Sequence, residues 1–424
     1  MRRESSFSRK VAWTVATRLL MIFNSVVAGV IVARWLGAQG VGQLAVINVA
    51  VTTIVQLGSF GLPSSNTYFI AKDRAYFSTA TTNSFLFAAV AGSVLAAVLS
   101  VTASLLPGWF SFVPPQLIRI AAISIPFQLV TLIGLNILLA VGKIREFNLL
   151  DLVAQSFVLV NAVVVLIVLG LRLDALVKWN TATSILVSVV VAVLLVVTGR
   201  RAMSSRWRTD LALLRRMITY GLKFHISVLA GAIIFRADLL VVNYFRGTAE
   251  AGVYSVATQF SLLLMLLPGV IATLLFPRVT AEQDARGETT SLVTRYTALI
   301  MLVCCLATVP VSFILPWVYG AAFSDATVLL LILLPGVYLV GLESVLVQHF
   351  NALGLPRRIP VYWLVTLLIN LVLVFGLVPR LGARGAAIAS TLSYALIFCL
   401  VAWHFRASTE RSFAEVFVRG SLRG

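Results

Sequence analysis

The sequence predicts an all-α, polytopic membrane protein of twelve transmembrane helices in two parallel six-helix lobes. Three observations carry that prediction. Apolar residues make up 60% of the 424 positions and charged residues 11%, with a mean hydropathy of +1.00, far outside the composition of soluble globular domains. Twelve apolar runs, each near the ~20 residues that cross a hydrocarbon core, follow one another along the chain. A glycine-marked corner recurs at half the chain length.

The runs lie at 11–33, 42–70, 80–105, 117–141, 150–170, 175–198, 218–245, 252–277, 291–315, 327–352, 360–379 and 383–405. The N-terminal MRRESSFSRK is basic and leads into the first run without a small-residue cleavage motif, which favours a retained span over a removed signal peptide. An even number of crossings puts both ends on one side. With the N-terminus inside, the inner segments collect most of the cations, among them Arg2, Arg3, Arg9, Lys10, Lys72, Arg74, Lys143, Arg145, Arg200, Arg201, Arg208, Arg215, Arg216, Arg278 and Arg358. The outer segments hold only Arg34, Arg172, Lys178, Arg246, Arg380 and Arg384, so the positive-inside rule places both termini in the cytoplasm.

The longest polar segment, TGRRAMSSRWRTDLALLRR (198–216), falls at mid-chain and reads as a linker between lobes. This gives an N-lobe of residues 1–199 with helices 1–6, a basic cytoplasmic linker at 200–216, and a C-lobe of 217–424 with helices 7–12 and a tail. Trp207, Arg208, Leu211, Leu213 and Leu214 are suited to a short amphipathic helix lying on anionic headgroups.

An internal repeat supports two lobes. ARWLGAQGVGQLAVI, with Gly37 and Gly42, follows the first run. NYFRGTAEAGVYSVA, with Gly247 and Gly252, follows the seventh, so both glycines recur at an offset of 210. LLAVGKIREF around Gly142 is echoed by FNALGLPRRIP around Gly354 at an offset of 212. Repeats of six spans share one orientation and are therefore parallel, related by an axis along the membrane normal.

The corner ARWLGAQGVGQLAVI, its echo GTAEAGVYSVA with the span ending LLFPRVT (Leu274 to Thr280), and LVPRLGARGAAIASTLSYAL (Leu377 to Leu396) resemble polysaccharide transporters of the Wzx type. These belong to the multidrug, oligosaccharidyl-lipid and polysaccharide (MOP) flippase superfamily. The resemblance covers nearly the whole chain. It implies two six-helix bundles facing each other across a central cavity, moving an undecaprenyl-diphosphate-linked oligosaccharide by alternating access across a bacterial or archaeal cytoplasmic membrane. Membrane lipids and a polysaccharide polymerase or other assembly proteins are the expected partners. One departure is Gln43-Leu44, where the family usually carries an aromatic residue; the second corner keeps Tyr254.

The candidate chemistry lies in charges within the runs: Arg18, Arg119, Lys223, Arg236, Asp238 and Glu343. Ionisable groups at mid-bilayer cost roughly 2.5–3.5 kcal/mol on insertion scales and generally face a partner or a wet cavity. Arg18, Lys223 and Arg236 are the candidates for a lipid-diphosphate headgroup, Arg offering a planar fork and Lys a point charge. Arg18 lies ~8 Å inside its run and suits either that role or an inner-interface anchor. Arg119 starts its run and suits an outer-interface anchor.

At ~100° per residue on an unbroken seventh helix, His225 and Arg236 share one face within ~20°, and Lys223 and Asp238 another within ~60°. Glu343, the deepest acid, must be protonated or paired, which makes it the first candidate for a coupling H+ or Na+ site, with Asp238 the second. The polar residues of SSNTY after Pro63, with Asn24, Gln128, Asn136 and Asn180, suit either sugar hydroxyls or helix packing.

Several classes are excluded or disfavoured. The basic excess, 33 Lys and Arg against 15 Asp and Glu, is spread through short loops without a nucleic-acid-binding motif, so nucleic acid is not an expected partner. Cys304, Cys305 and Cys399 lack metal spacing, and no cofactor is implied beyond a coupling ion. No GxxxxGK[ST] occurs, so ATP is not the direct energy source within this chain. A glycosyltransferase or polymerase would need an acid/base constellation that the short, acid-poor outer loops do not supply. The nearest rival is a cation-coupled drug exporter of the same superfamily, which the excess of basic over acidic groups in the runs disfavours.

Overall fold

The computed structural model describes residues 2–110, 112–202, 207–282, 284, 286–354, 356 and 358–417. Seventeen α-helices and no strand occur among them: α1 (Arg2–Gly58), α2 (Leu62–Lys72), α3 (Phe77–Leu105), α4 (Pro115–Ala122), α5 (Ile125–Ala140), α6 (Ile144–Ala162), α7 (Leu173–Ala202), α8 (Leu211–Arg236), α9 (Asp238–Arg246), α10 (Thr248–Leu264), α11 (Leu266–Glu282), α12 (Glu288–Ser312), α13 (Leu315–Tyr319), α14 (Asp325–Leu353), α15 (Arg358–Leu381), α16 (Ala383–Thr409) and α17 (Phe413–Phe417). Eleven stretches are long and apolar enough to cross a membrane. The first of them, Ala16–Gly58, has 43 residues, about twice what one crossing needs, and holds two crossings parted at Gly37. Twelve crossings result, and the chain is a multi-pass membrane protein.

Gly37 parts the two crossings because its backbone sits at φ 65° and ψ −177°, a conformation that a Cβ disfavours. Gly247, its counterpart in the second half, adopts φ 86° and ψ 174° between α9 and α10. Positive φ also recurs at Gly142 and Gly354, and at Gly170 and Gly382, each pair separated by about half the chain. The sequence repeat is thus also a repeat of backbone corners.

The second crossing of each half, read from sequence as one unbroken run, is discontinuous. In the first half the helix stops at Gly58 and resumes at Leu62, with Gly61 at φ 73° and Pro63 in the new first turn. In the second half it stops at Leu264 and resumes at Leu266. Pro268 follows there and lacks the N–H that would bond back to Leu264.

By internal packing the chain divides into two compact units, Met1–Ala232 and Ile233–Gly424. The first includes most of α8, well past residue 217, and specific contacts explain why. The Ser65 hydroxyl donates to the Met217 carbonyl at 2.8 Å, and the Tyr68 and Tyr220 rings stack 4.3 Å apart. A Cβ on Gly221 would lie 2.5 Å from the Gly61 carbonyl oxygen, so two glycines let the backbones touch. Within the linker, residues 203–206 lie outside the described residues. Trp207 packs edge-on against Phe77 at 6.3 Å, and the Asp210 carboxylate accepts the Leu213 N–H at the start of α8. Leu211, Leu213 and Leu214 therefore belong to α8 and not to a separate surface helix.

Each unit has a central helix. In the first, α5 packs on α2, α3, α6 and α7, with Ile125, Leu129, Ile133 and Ile137 fully buried. In the second, α14 packs on α10, α11, α12 and α16, and its Val337, Val340, Leu346 and Phe350 join Ile397, Val401 and Phe405 of α16 in one core. Apolar side chains such as Val94, Val98, Leu299, Val303 and Val372 are exposed around the periphery, as a lipid-facing surface requires.

Candidate functional site

The intramembrane charges fall into different environments. In the first unit, Arg18 pairs with Asp151 of α6 at 2.9 Å, the two side chains 37% and 17% exposed. Its guanidinium also approaches the Met21 sulfur at 3.6 Å. Asp151, at the start of the fifth run, is a partner that sequence reasoning misses, because nothing in the sequence signals a pairing between positions so far apart. Arg119 donates to Ser104 at 2.8 Å on an exposed surface. Lys223 lies on α8 and its side chain lies outside the described residues. His225 is buried, with its Nε2 lacking a partner among the described residues.

Several polar residues of the first unit bond to one another across helices. Asn24 donates to Ser156 at 2.9 Å, Asn66 to Ser84 at 2.8 Å, and Asn161 to Asn180 at 2.8 Å. Asn136 donates to its own helix at Leu132. The first three of these join one helix to another. Gln43, at the departure from the corner motif, donates to the Phe112 carbonyl.

The second unit holds the remaining candidates. The seventh crossing breaks at Ala237, between Arg236 and Asp238, while α8 runs unbroken through Gly221 and Gly231. The break separates Lys223 from Asp238, whereas His225 and Arg236 stay on one unbroken helix. Asp238 starts α9, where the helix dipole favours a carboxylate, and is 4% exposed. It accepts from the Tyr254 hydroxyl, from the Ser390 hydroxyl at 2.8 Å and from the Leu239 N–H at 2.8 Å. Two helices beyond its own, α10 and α16, thereby converge on one carboxylate. The corner motif singles out Tyr254 without revealing this contact.

Arg236 is the twelfth residue of the apolar stretch His225–Arg246, with about 15 Å of helix on either side. It is exposed and makes no hydrogen bond or ion pair with the described residues.

Glu343 lies in the middle of α14 and is 3% exposed. Its Oε1, itself closed off from solvent, has no hydrogen-bond partner among the described residues. It borders a cavity of about 480 Å³ built from the end of α8, the break at Met265, α11, α14 and α15. Phe235, Phe276 and Trp363 supply aromatic walls, and Ser344 and Gln348 supply polar groups beside Glu343. Gly269 lines the same space, and a Cβ there would meet no atom within 4 Å. Sequence spacing could place Ser344 and Gln348 on the helix of Glu343, but not bring Phe235 and Trp363 to it. Among the described residues, no group of three His, Cys, Asp or Glu is placed to hold a metal.

Fold and charges together define a multi-pass membrane protein with discontinuous crossings and few intramembrane ions. The fold is that of the MOP superfamily. It superposes on the lipid II flippase MurJ, inward closed, with a TM-score of 0.76 at 14% identity, over 96% of this chain and 91% of that one. On an inward-facing multidrug resistance MATE family transporter of the MOP superfamily the TM-score is 0.72 at 16% identity, over 95% and 99%. The chain belongs to the polysaccharide biosynthesis protein family, which matches residues 7–283. It is also 30% identical over 167 residues to the probable flippase AglR of Haloferax volcanii. That match covers 38% of this chain and spans about a third of AglR, 35% of its length.

Proposed function

We propose that this protein is a flippase that carries an undecaprenyl-diphosphate-linked oligosaccharide from the inner to the outer leaflet of a cytoplasmic membrane, for cell-surface polysaccharide assembly. Arg236 carries the reading. A guanidinium exposed at mid-crossing, without a counter-ion among the described residues, would cost several kcal/mol against lipid, so it belongs on a wet face with an anionic ligand. A diphosphate fits its fork. Lys223, about 20 Å away along the same helix and on another face, is the weaker candidate. Arg18, neutralised by Asp151, contributes to the headgroup only if that pair opens. The family match and the likeness to AglR support a lipid-linked glycan as cargo.

Transport proceeds by alternating access coupled to H+ or Na+. Glu343, with an oxygen left unbonded beside a cavity, is the first site for that ion, and Asp238 the second. Both termini lie in the cytoplasm, so Thr209→Cys and Ala407→Cys should resist an impermeant maleimide on intact cells, and labelling from outside would overturn the topology.

The function is tested by reconstitution into vesicles with labelled undecaprenyl-diphosphate oligosaccharides. The expected result is protein-dependent transfer between leaflets that responds to an imposed gradient. Absence of transfer, with export of ethidium from the same vesicles, would contradict the proposal and favour a drug exporter.

A further inference from the structure

The cavity at Glu343 has features that a bare cation site does not need. At about 480 Å³ it falls in the size range of small-molecule sites, whereas an ion requires only a first shell of oxygens. Three aromatic side chains, Phe235, Phe276 and Trp363, line it, and Phe235 lies 6.4 Å from Trp363 between ring centroids. Aromatic faces pack against the C–H faces of a pyranose ring, and these walls offer them. Glu343, Ser344 and Gln348 project hydrogen-bonding groups into the same space from adjoining turns of α14.

Glu343 is almost wholly buried, and its Oε1 is unsatisfied among the described residues, a state that a ligand rich in hydroxyl donors relieves and an acyl chain does not. The Ser344 hydroxyl donates to the Gly341 carbonyl at 2.7 Å and the Gln348 amide donates to the Ser344 carbonyl at 3.4 Å, so both meet a ligand as acceptors, which a cationic drug, using the carboxylate and the aromatic faces, leaves unfilled. A polyhydroxyl ring uses all of them.

We infer that this cavity is a subsite for one sugar residue of the lipid-linked glycan. The inference rests on the flippase reading and adds to it: Arg236, next to Phe235 in sequence, holds the diphosphate, while the cavity reads the sugar. Sugar hydroxyls and the coupling cation then compete for the Glu343 carboxylate. Discrimination among glycans resides in the second unit, in side chains that do not touch the diphosphate.

The test uses the full chain in lipid nanodiscs with two probes. Methyl glycosides, both neutral and 2-amino, are screened by saturation-transfer NMR, and undecaprenyl diphosphate without sugar is titrated separately. Gly269→Leu fills the cavity without meeting a neighbour at its Cβ, and Ser344→Ala and Gln348→Ala remove polar groups without adding bulk. The expected result is saturation transfer to at least one glycoside, weakened tenfold or more by Gly269→Leu and severalfold by each alanine variant, with undecaprenyl diphosphate affinity unchanged within twofold. Glycosides that do not bind, or that bind equally to all three variants, overturn the subsite. So does tetraphenylphosphonium binding that Gly269→Leu abolishes while no glycoside binds. Glycoside binding that depends on the cavity, in a protein that ignores undecaprenyl diphosphate, upholds the sugar site and sinks the lipid-diphosphate reading alone.

Discussion

Asp238 and Glu343 are two nearly inaccessible acids in one unit, and their surroundings differ completely. Asp238 accepts three hydrogen bonds, from Tyr254, Ser390 and the Leu239 N–H, and ties three crossings together. Glu343 has an oxygen unbonded among the described residues and borders a cavity. The same contrast separates the cations: Arg18 has Asp151, and Arg236 has no partner among the described residues. An ion in a membrane helix is thus either a fastener whose cost is met by neighbours or a group held ready for something that comes and goes. The internal repeat sharpens the point. At the offset that relates Gly37 to Gly247, the first-half positions equivalent to Asp238 and Tyr254 are Ala28 and Leu44, which pack together in an apolar cluster. One half closes this junction with hydrocarbon and the other with a hydrogen-bonded carboxylate.

The largest expected effect falls on the fastened acid. Asp238→Ala leaves two buried hydroxyls without their acceptor and should cost about 3 kcal/mol, read as a lower melting temperature and loss of monodisperse protein in detergent. Glu343→Gln should melt within about 0.5 kcal/mol of the parent, since no protein contact is lost, yet remove the gradient dependence of transport. Equal melting of the two variants would erase the distinction drawn between the acids. Next in size is Gly221→Ala, whose Cβ would press on the Gly61 carbonyl and should cost about 2 kcal/mol. Gly269→Ala, with open space at its Cβ, serves as the matched control.

A smaller coupling is expected from grafting the first-half solution onto the second. Asp238→Ala combined with Tyr254→Leu should be less destabilising than the sum of the single changes, by about 1–2 kcal/mol. Strict additivity would mean that the two side chains do not act as a unit. Smallest of all is the Arg18–Asp151 pair. A double-mutant cycle with alanine should give about 0.5–1 kcal/mol, because both partners are partly exposed. Transport that survives Arg18→Ala would confirm Arg18 as a fastener, and transport lost without any change in melting would return it to the headgroup.

The twelve crossings and the half-length repeat are legible from run length and from glycines that stand where the backbone turns. Gly37 and Gly247 can be read as corners because the conformations they adopt exclude most side chains. The breaks are less legible: Pro268 interrupts the backbone bonding of its run without interrupting its hydropathy, and hydropathy alone sets the reading of a span. The site is legible as a set of ions and not as a set of environments. Arg236, Asp238 and Glu343 are conspicuous in apolar sequence, but which of them has a partner depends on contacts as remote as that of Ser390 with Asp238. Trp363 and Phe235 are unremarkable as letters, and only the packing of α15 against the end of α8 turns them into cavity walls.

The central claim is that Arg236 has no partner among the described residues because it serves an anionic headgroup. It is tested by measuring leaflet transfer of a labelled undecaprenyl-diphosphate oligosaccharide in vesicles carrying equal amounts of wild-type protein, Arg236→Lys or Arg236→Ala. Transfer should be lost in Arg236→Ala and partly kept in Arg236→Lys, which retains the charge without the fork, with melting temperatures unchanged because no protein contact has been removed. Wild-type transfer by Arg236→Ala at equal protein level would contradict the account.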